Sequence, residues 1–485
     1  MASLLTTAPI LGLIAMLMSS SQLLPIAISL VYADGALSAF VLSACFNFVC
    51  GYIAWLATRR FRQEIMAQDA ILLVVLTWSG GALFATVPLL LTLPDLSFTD
   101  AYFETMSGLT TTGSTILSNL DRLPPSINIW RGFLQWLGGM GIIVLAIAVL
   151  PVLGIGGRQI YKAETPGPMK DTKLTPRLAE TAKGLWLIYV GLSLACFAAY
   201  ALAGMPWLDA FMHTLSTMPT GGFSNHDASF GHFDSPLLES IAIAFMLISA
   251  INYGSHFLAL RARSLAPYRH DPEVGWFLLV AVGSCIGVAS YLWLTGAYPE
   301  FLTALRHASF NLVSVATSTG FATQDFSLWP IFTPLWMMFL VSFLSCSGST
   351  GGGIKMIRAV ILYKQVYREF IRLLHPTASI PTKISGQPVE NRVVFAVLAF
   401  LFIYIVCIVS LTLVLTASGL DVVTAFSAVI ACLNNLGPGL NQVGPATTFE
   451  VLNDFQIWLL SAAMLIGRLE LFTVLVILTP VFWRK

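Results

Sequence analysis

A chain of 485 residues that is 56% hydrophobic and only 10% charged, with a mean hydropathy of +0.80, is excluded from the soluble globular class, whose members carry about 25% charged residues. A net charge of +1 points to neither nucleic acid nor an acidic partner. The seven cysteines are scattered through apolar stretches without CxxC spacing, so they read as small core residues, framing neither a disulfide scaffold nor a metal site. A helix needs roughly 20 apolar residues to cross a bilayer. In chain order, ten stretches qualify: 8–31, 37–57, 70–93, 128–154, 184–204, 236–260, 275–296, 333–364, 392–417 and 456–482. The first has no basic leader and too long an apolar run for a cleaved signal, so it is expected to be retained.

Lysine and arginine set the orientation. The segments after the even-numbered spans hold Arg59–Arg62, Arg158–Lys183, Arg261–Arg269, Lys355–Lys383 and the tail Arg484–Lys485. Of the 25 basic residues, only Arg122, Arg131 and Arg306 fall on the other side, and Arg468 lies within a span. The positive-inside rule makes the basic side cytoplasmic and puts both termini there. The outer loops carry carboxylates instead, among them Asp95, Asp121, Asp227 and Asp325, a charge pattern suited to an outer vestibule that attracts cations.

Four outer loops align on one glycine each, Gly113, Gly222, Gly320 and Gly437, about a hundred residues apart. Twelve residues earlier stand Ala101, Ala210, Ala308 and Ala425; six earlier stand Ser107, Ser216, Ser314 and Ala431. Each unit therefore reads as span, short helix, glycine turn, span. A stretch such as DAYFETMSGL (100–109) is too short to cross and suits a half-helix dipping in from outside. Non-helical backbone at membrane depth is tolerated where protein buries it or where it lines a wet cavity. The expected fold is thus an all-α polytopic membrane protein with four pseudo-symmetric span–pore helix–filter loop–span repeats around a central pore. The divisions are an N-terminal helix pair (1–62) and repeats over 63–183, 184–271, 272–390 and 391–485. Glycine lets successive carbonyl oxygens face the axis, and rings of carbonyls replace the hydration shell of a permeating cation. The negative C-terminal ends of four half-helices favour a cation at the same place.

The segments TTTGST, TGGFSNHD, ATSTGFAT and NNLGPG resemble the four pore loops of the Trk/Ktr/HKT superfamily of potassium transporters. SGSTGGGIK, IGRLELF, QWLGGMGIIVLAIAVLPVLGIGG and ETPGPMKDTKLTPRLAETAK are similar to its TrkH branch, and the likeness spans essentially the whole chain. The resemblance implies a K⁺ filter whose ligands are Thr111, Thr112, Thr220, Gly221, Ser318, Thr319, Asn435 and Leu436, with Gly113, Gly222, Gly320 and Gly437. In plant relatives a serine at the first glycine accompanies sodium permeation, so four glycines imply K⁺ preference. No loop spells TVGYG, and four unlike strands are expected to discriminate less sharply than a potassium channel.

The span after the third loop contains FLSCSGSTGGGIKMIR (343–358). Glycines in mid-helix cost about 1 kcal/mol each, so this is no simple span. It reads as an intramembrane turn kept for packing or, as the resemblance implies, as a gate under the filter formed by Gly348, Ser349, Thr350, Gly351, Gly352, Gly353 and Lys355. Arg468 interrupts the last span, where an arginine costs roughly 2.5–3.5 kcal/mol on insertion scales. It is expected to face the interior and to pair, with Glu470 or with another repeat. The resemblance puts it in the pore beside the gate.

His213, His226, His232 and His307 show no i, i+4 ligand spacing and read as outer loop residues. No Walker or GxGxxG sequence occurs, so this chain is expected to bind no nucleotide and not to be an enzyme. The resemblance implies a homodimer in the cell inner membrane, served by a TrkA-type cytoplasmic ring of NAD- and ATP-binding subunits that docks on loops 157–183 and 365–391. Two competing functions remain at this stage. K⁺/H⁺ or K⁺/Na⁺ symport wants titratable groups at membrane depth and finds only Glu104, Lys355, Arg468 and Glu470. Service as the membrane subunit of an ATP-driven K⁺ pump would need an ATPase partner.

Overall fold

The computed structural model describes residues 2–60, 67–144, 178–377 and 380–484. Most of the expected cytoplasmic loop 157–183, and the end of span 128–154, lie outside these residues. An N-terminal pair comes first, made of Ala2–Ser21 with Leu23–Tyr32, then Leu37–Thr58. Gly12 and Gly51 let the two backbones touch: a Cβ on either would stand 2.6–2.7 Å from the other's carbonyl oxygen.

Four units follow, each a span, a half-helix and a return helix. The half-helices are Phe98–Leu109, Trp207–Thr217, Phe301–Ala316 and Val422–Leu433. The entering spans are Ala67–Ala85 with Val87–Thr92, Leu178–Leu202, Pro272–Leu294 and Asn391–Ala417. The last presents Phe395 and Phe402, each 69% exposed, on the face a lipid tail would cover. The alanines spaced twelve before the glycines are fully buried where each half-helix packs inward.

The return helices are less regular than the sequence suggested. Pro125–Val144 is unbroken as far as it is described. The second bends by 94° between Pro236–Ser249 and Tyr253–Ala262, and the fourth by 119° between Asp454–Arg468 and Leu471–Leu478. The third is split outright into Phe332–Val341 and Met356–Leu374, with irregular backbone between. Among the described residues six helices are long and apolar enough to cross a membrane, or eight counting the two bent pairs. The ten-span count differs because the third return helix is cut in two and the first expected return span, 128–154, is described only as far as Val144. Loop 365–391 also departs from a purely helical fold. It holds a two-residue antiparallel ladder, Lys383↔Pro388 and Ile384↔Gln387, turning through Ser385 and Gly386 at positive φ.

Candidate ion pathway

Each half-helix ends in the same way. Thr111, Thr220, Ser318 and Asn435 adopt left-handed conformations, with φ of 53°, 54°, 58° and 53°. The next amide in each loop returns to the carbonyl five residues back: Thr112 to Ser107, Gly221 to Ser216, Thr319 to Ser314 and Leu436 to Ala431, all at 2.8 Å. This is a Schellman termination, normally built on glycine. Here side-chain-bearing residues take the strained position four times, at a cost of order 1–2 kcal/mol each. The anchor glycines follow at φ of 85°, 79°, 88° and 104°, so the chain turns twice within three residues.

The four turns meet. A Cβ added to Gly113 would stand 2.0 Å from the carbonyl oxygen of Gly221, one on Gly222 2.0 Å from that of Thr319, and one on Gly320 2.1 Å from that of Leu436. A Cβ on Gly437 would stand 3.0 Å from the oxygen of Thr112, which closes the circuit. Each glycine therefore seats the carbonyl preceding the next glycine, in the order one, two, three, four and back to one. The predicted filter residues come together as a single ring. A cavity of about 350 Å³ touches all four glycines, with Arg131, His226 and Asp227 also on its wall.

Side chains brace this ring from behind. Ser114 Oγ donates to the Gly437 oxygen at 2.8 Å, and Asn435 Nδ2 donates to Thr112 Oγ1 at 2.9 Å. Both bonds tie loop four to loop one. Gln135 Nε2 donates to the Gly221 oxygen at 2.7 Å while its Oε1 accepts from the Phe223 amide at 3.2 Å. A carbonyl has a second lone pair, so Gly221 keeps one for the axis.

A buried ion pair fixes the first loop, and the sequence reading missed it. Arg131 Nε lies 2.7 Å from Glu104 Oε1, both side chains almost fully buried. The guanidinium also donates to the Ser224 oxygen at 3.0 Å and to Thr115 Oγ1 at 3.1 Å, and its carbon sits 4.3 Å from the centre of the Phe223 ring. Glu104 accepts from the Ile116 amide at 3.0 Å. One arginine thus holds loops one and two in register. The available signal was that Arg131 was the one outer-side basic residue inside a predicted span.

Residues 345–355 pack against the C-terminal ends of the second, third and fourth half-helices. Thr350 Oγ1 donates to the oxygens of Met218 and Ser249, each at 3.2 Å, and stands 3.3 Å from Thr220 Oγ1. The Gly352 amide donates to Ser318 Oγ at 2.8 Å, and its Cβ position lies 1.9 Å from the Asn434 oxygen. Gly348 and Gly353 hold positive φ of 72° and 84°. Gly351 abuts the Thr317 oxygen, Ser349 turns back on Cys346, and Lys355 Nζ donates to the Gly351 oxygen. Loops two, three and four are all touched.

Arg468 reaches the same place. Its Nη1 donates to the Thr350 oxygen at 2.8 Å and its Nη2 to the Gly138 oxygen at 3.2 Å. It is buried and forms no ion pair among the described residues, so the expected Arg468–Glu470 pair is corrected. Glu470 stands at φ 63°, where the helix breaks, and pairs instead with Arg358 at 3.1 Å. The break turns the two residues to different surroundings.

The histidines also need correction. His213 and His307 sit within half-helices, not loops. His226 bonds Asp121 across two repeats at 2.5 Å. Spacing along one helix carried no trace of that contact.

Re-entrant loops that ring one axis with carbonyl oxygens, above a buried cation on the last return helix, define a polytopic membrane protein built around an ion pathway. Known proteins share this plan over the full length of the chain. Residues 36–484 match the TrkH family, described as a cation transport protein, and the chain belongs to that family. The Trk system potassium uptake protein TrkH of Halomonas elongata is 48% identical, covering 98% of this chain and 98% of its own length. Its namesake from Escherichia coli strain K12 is 44% identical over the same shares. The crystal structure of the potassium transporter TrkH from Vibrio parahaemolyticus aligns with a TM-score of 0.91 at 43% identity, covering 100% of this chain and 99% of that one.

Proposed function

We propose that this chain takes up K⁺ across the cytoplasmic membrane through a selective, gated pore and catalyses no covalent reaction. The observation that carries this reading is the closed circuit of glycines and carbonyl oxygens at Gly113, Gly222, Gly320 and Gly437. A dehydrating K⁺ exchanges water for the oxygens of Thr112, Gly221, Thr319 and Leu436, with those of Thr111, Thr220, Ser318 and Asn435 below. The carbonyl ends of the half-helices add negative potential. The names of the relatives support K⁺ as the cargo and a Trk system of more than one component.

The segment from Gly348 to Lys355, with Arg468, acts as the gate. In the present packing it sits against the underside of three loops, and a buried guanidinium beside it repels a cation. The gate opens when a cytoplasmic nucleotide-binding ring pulls on the basic loops 157–183 and 365–391. Both termini face that ring, and the chain works as a homodimer. Glu104 is committed to Arg131 and is not free to carry a proton with K⁺, which favours a pore over a symporter.

The test is ion flux from purified protein in liposomes with K⁺, Rb⁺, Cs⁺, Na⁺ and Li⁺ compared. Flux of K⁺ and Rb⁺ well above that of Na⁺ and Li⁺, with the preference lost in Gly113→Ser, is expected. Equal flux of all five ions, or strict proton movement with K⁺, overturns the reading.

A further inference from the structure

The outer rim holds a second concentration of ligand-forming side chains. Asp121 follows filter loop one, while His226 and His232 follow filter loop two. One ligand atom from each residue lies within 4.8 Å of the others. The rings of His226 and His232 stack with centroids 3.6 Å apart and planes 3° from parallel. His226 Nδ1 lies 2.5 Å from Asp121 Oδ1, and its Nε2 lies 3.5 Å from Asp209 Oδ1. That Nε2 is buried and has no hydrogen-bond partner among the described residues. The turn itself is held by backbone: the Asp227 amide donates to Asp121 Oδ2 at 3.1 Å, and the Leu120 amide to Asp227 Oδ1 at 3.0 Å.

We propose that Asp121, His226 and His232 form a binding site for a divalent transition-metal cation, with Zn²⁺ as the type ion, and that its occupation restricts cation entry to the pore. Two imidazoles and a carboxylate are a zinc donor set that leaves a position open for water. Mg²⁺ and Ca²⁺ prefer all-oxygen shells and are disfavoured. Zinc–nitrogen bonds are about 2.0–2.1 Å, so the ligands rearrange on binding, the close Asp121–His226 contact opening and its proton leaving as the ion enters. Asp121 and His232 are exposed, Asp121 tied to His226 and the Asp227 amide and His232 stacked on His226, whereas His226 is half-buried and anchored between Asp121 and Asp209. Asp209 and Asp227 add negative charge around the ion, as outer carboxylates commonly do at metal sites.

The link to the pore is positional. His226 lines the same cavity as the four anchor glycines. A doubly charged ion held there faces every cation approaching the ring, in a narrow space where screening by salt is weakened. This second half of the proposal rests on the K⁺ pathway proposed above; the binding half does not.

The experiment measures Zn²⁺ binding to the purified full chain by equilibrium dialysis, with Mg²⁺ as the comparison ion. Saturable uptake of one Zn²⁺ per chain is expected, weakened about tenfold or more by Asp121→Asn and by His232→Ala, with no comparable Mg²⁺ uptake. Both substitutions are at exposed positions, and gel filtration with a melting curve verifies that the variants stay folded. No saturable Zn²⁺ binding, or binding that neither variant changes, overturns the site. In liposomes, external Zn²⁺ is expected to lower K⁺ flux several-fold in the native chain and not in His232→Ala. Zinc bound with flux unaltered overturns the regulatory half. Absence of K⁺ flux without any metal is instead a failure of the pathway reading, and dialysis still decides the site.

Discussion

The ring of filter turns and the loop beneath it use glycine for opposite ends. In the ring, four glycines repeat one conformation at one spacing, and each makes room for a neighbouring carbonyl. In the loop, Gly348 and Gly351–Gly353 occupy one repeat only, and nothing like them interrupts the other described return helices. On the function proposed above, the ring is symmetric because an ion on the axis must be met from every side. On the same proposal the loop is asymmetric because a single obstruction is enough to close a pore, and three further copies would crowd the axis. Both regions are braced. Side chains from several helices lock the ring, and the loop is held through Thr350, Gly352 and Arg468 and by buried Glu273, which accepts from the Ser347 and Ile357 amides at 3.0 and 2.9 Å.

The largest test attacks the symmetry. Substituting Gly113, Gly222 or Gly320 with alanine places a Cβ about 2.0–2.1 Å from a backbone oxygen, which the ring cannot accommodate without opening. Loss of K⁺ preference over Na⁺ by about tenfold or more is expected, worth ~1.4 kcal/mol of discrimination. Gly437→Ala meets its neighbour at 3.0 Å, so it strains φ without the collision and should lose less. Equal damage at all four positions in comparative flux assays breaks the geometric account.

The brace comes next for selectivity, although its first readout is stability. Glu104→Gln leaves the Arg131 guanidinium buried without its counter-charge, and breaking such a pair costs about 3–5 kcal/mol. A marked fall in melting temperature and in K⁺ selectivity is expected, measured by thermal unfolding in detergent and by flux. A hydrophobic replacement of both partners should recover stability but not selectivity, because the guanidinium also fixes Ser224 and Thr115.

Acting on the loop should do the reverse. Arg468→Ala removes the charge and two bonds to backbone oxygens while leaving the ring intact. Flux is expected to rise about tenfold, or ~1.4 kcal/mol of barrier, with K⁺ preference unchanged. A variant that instead lost selectivity would place Arg468 among the supports of the ring.

Much of the ring was legible in the sequence, because it is built from backbone and so recurs as a spacing. The Ala–Ser–Gly register encodes a buried helix face, a termination and a turn, all local. The contacts that hold the ring were not legible. Arg131 and Glu104 are far enough apart in sequence to show no helical spacing, and Glu470 meets Arg358 only after a 119° bend that its own sequence conceals. The His226–Asp121 contact joins two repeats, and a reading that aligns repeats does not see what passes between them. Glycines announced the broken third return helix, but nothing comparable announced the bend between Ser249 and Tyr253.

The smallest effect is expected outside both regions, and it serves as their control. Asp34 joins the N-terminal pair to the first repeat: Oδ2 accepts from the Ser126 amide at 2.9 Å, and Oδ1 from the Ala36 amide at 3.1 Å and from Ser29 Oγ. Burial pushes its carboxyl up, but bonds from Ser126, Ser29 and Ala36 outweigh burial and hold it below the usual 3.8. A lowered folded value means that the stabilisation is present above pH 3.8 and lost as pH falls through the folded value. The group is only partly buried, so solvent screening keeps the contribution small. Asp34→Asn should therefore lower the melting temperature slightly at neutral pH, with the difference from the native chain vanishing in strong acid. Neither ion preference nor flux should move, since no residue of the ring or the loop touches Asp34. A change in selectivity in this variant would mean that the N-terminal pair sets the ring's geometry, and that the fourfold unit does not stand by itself.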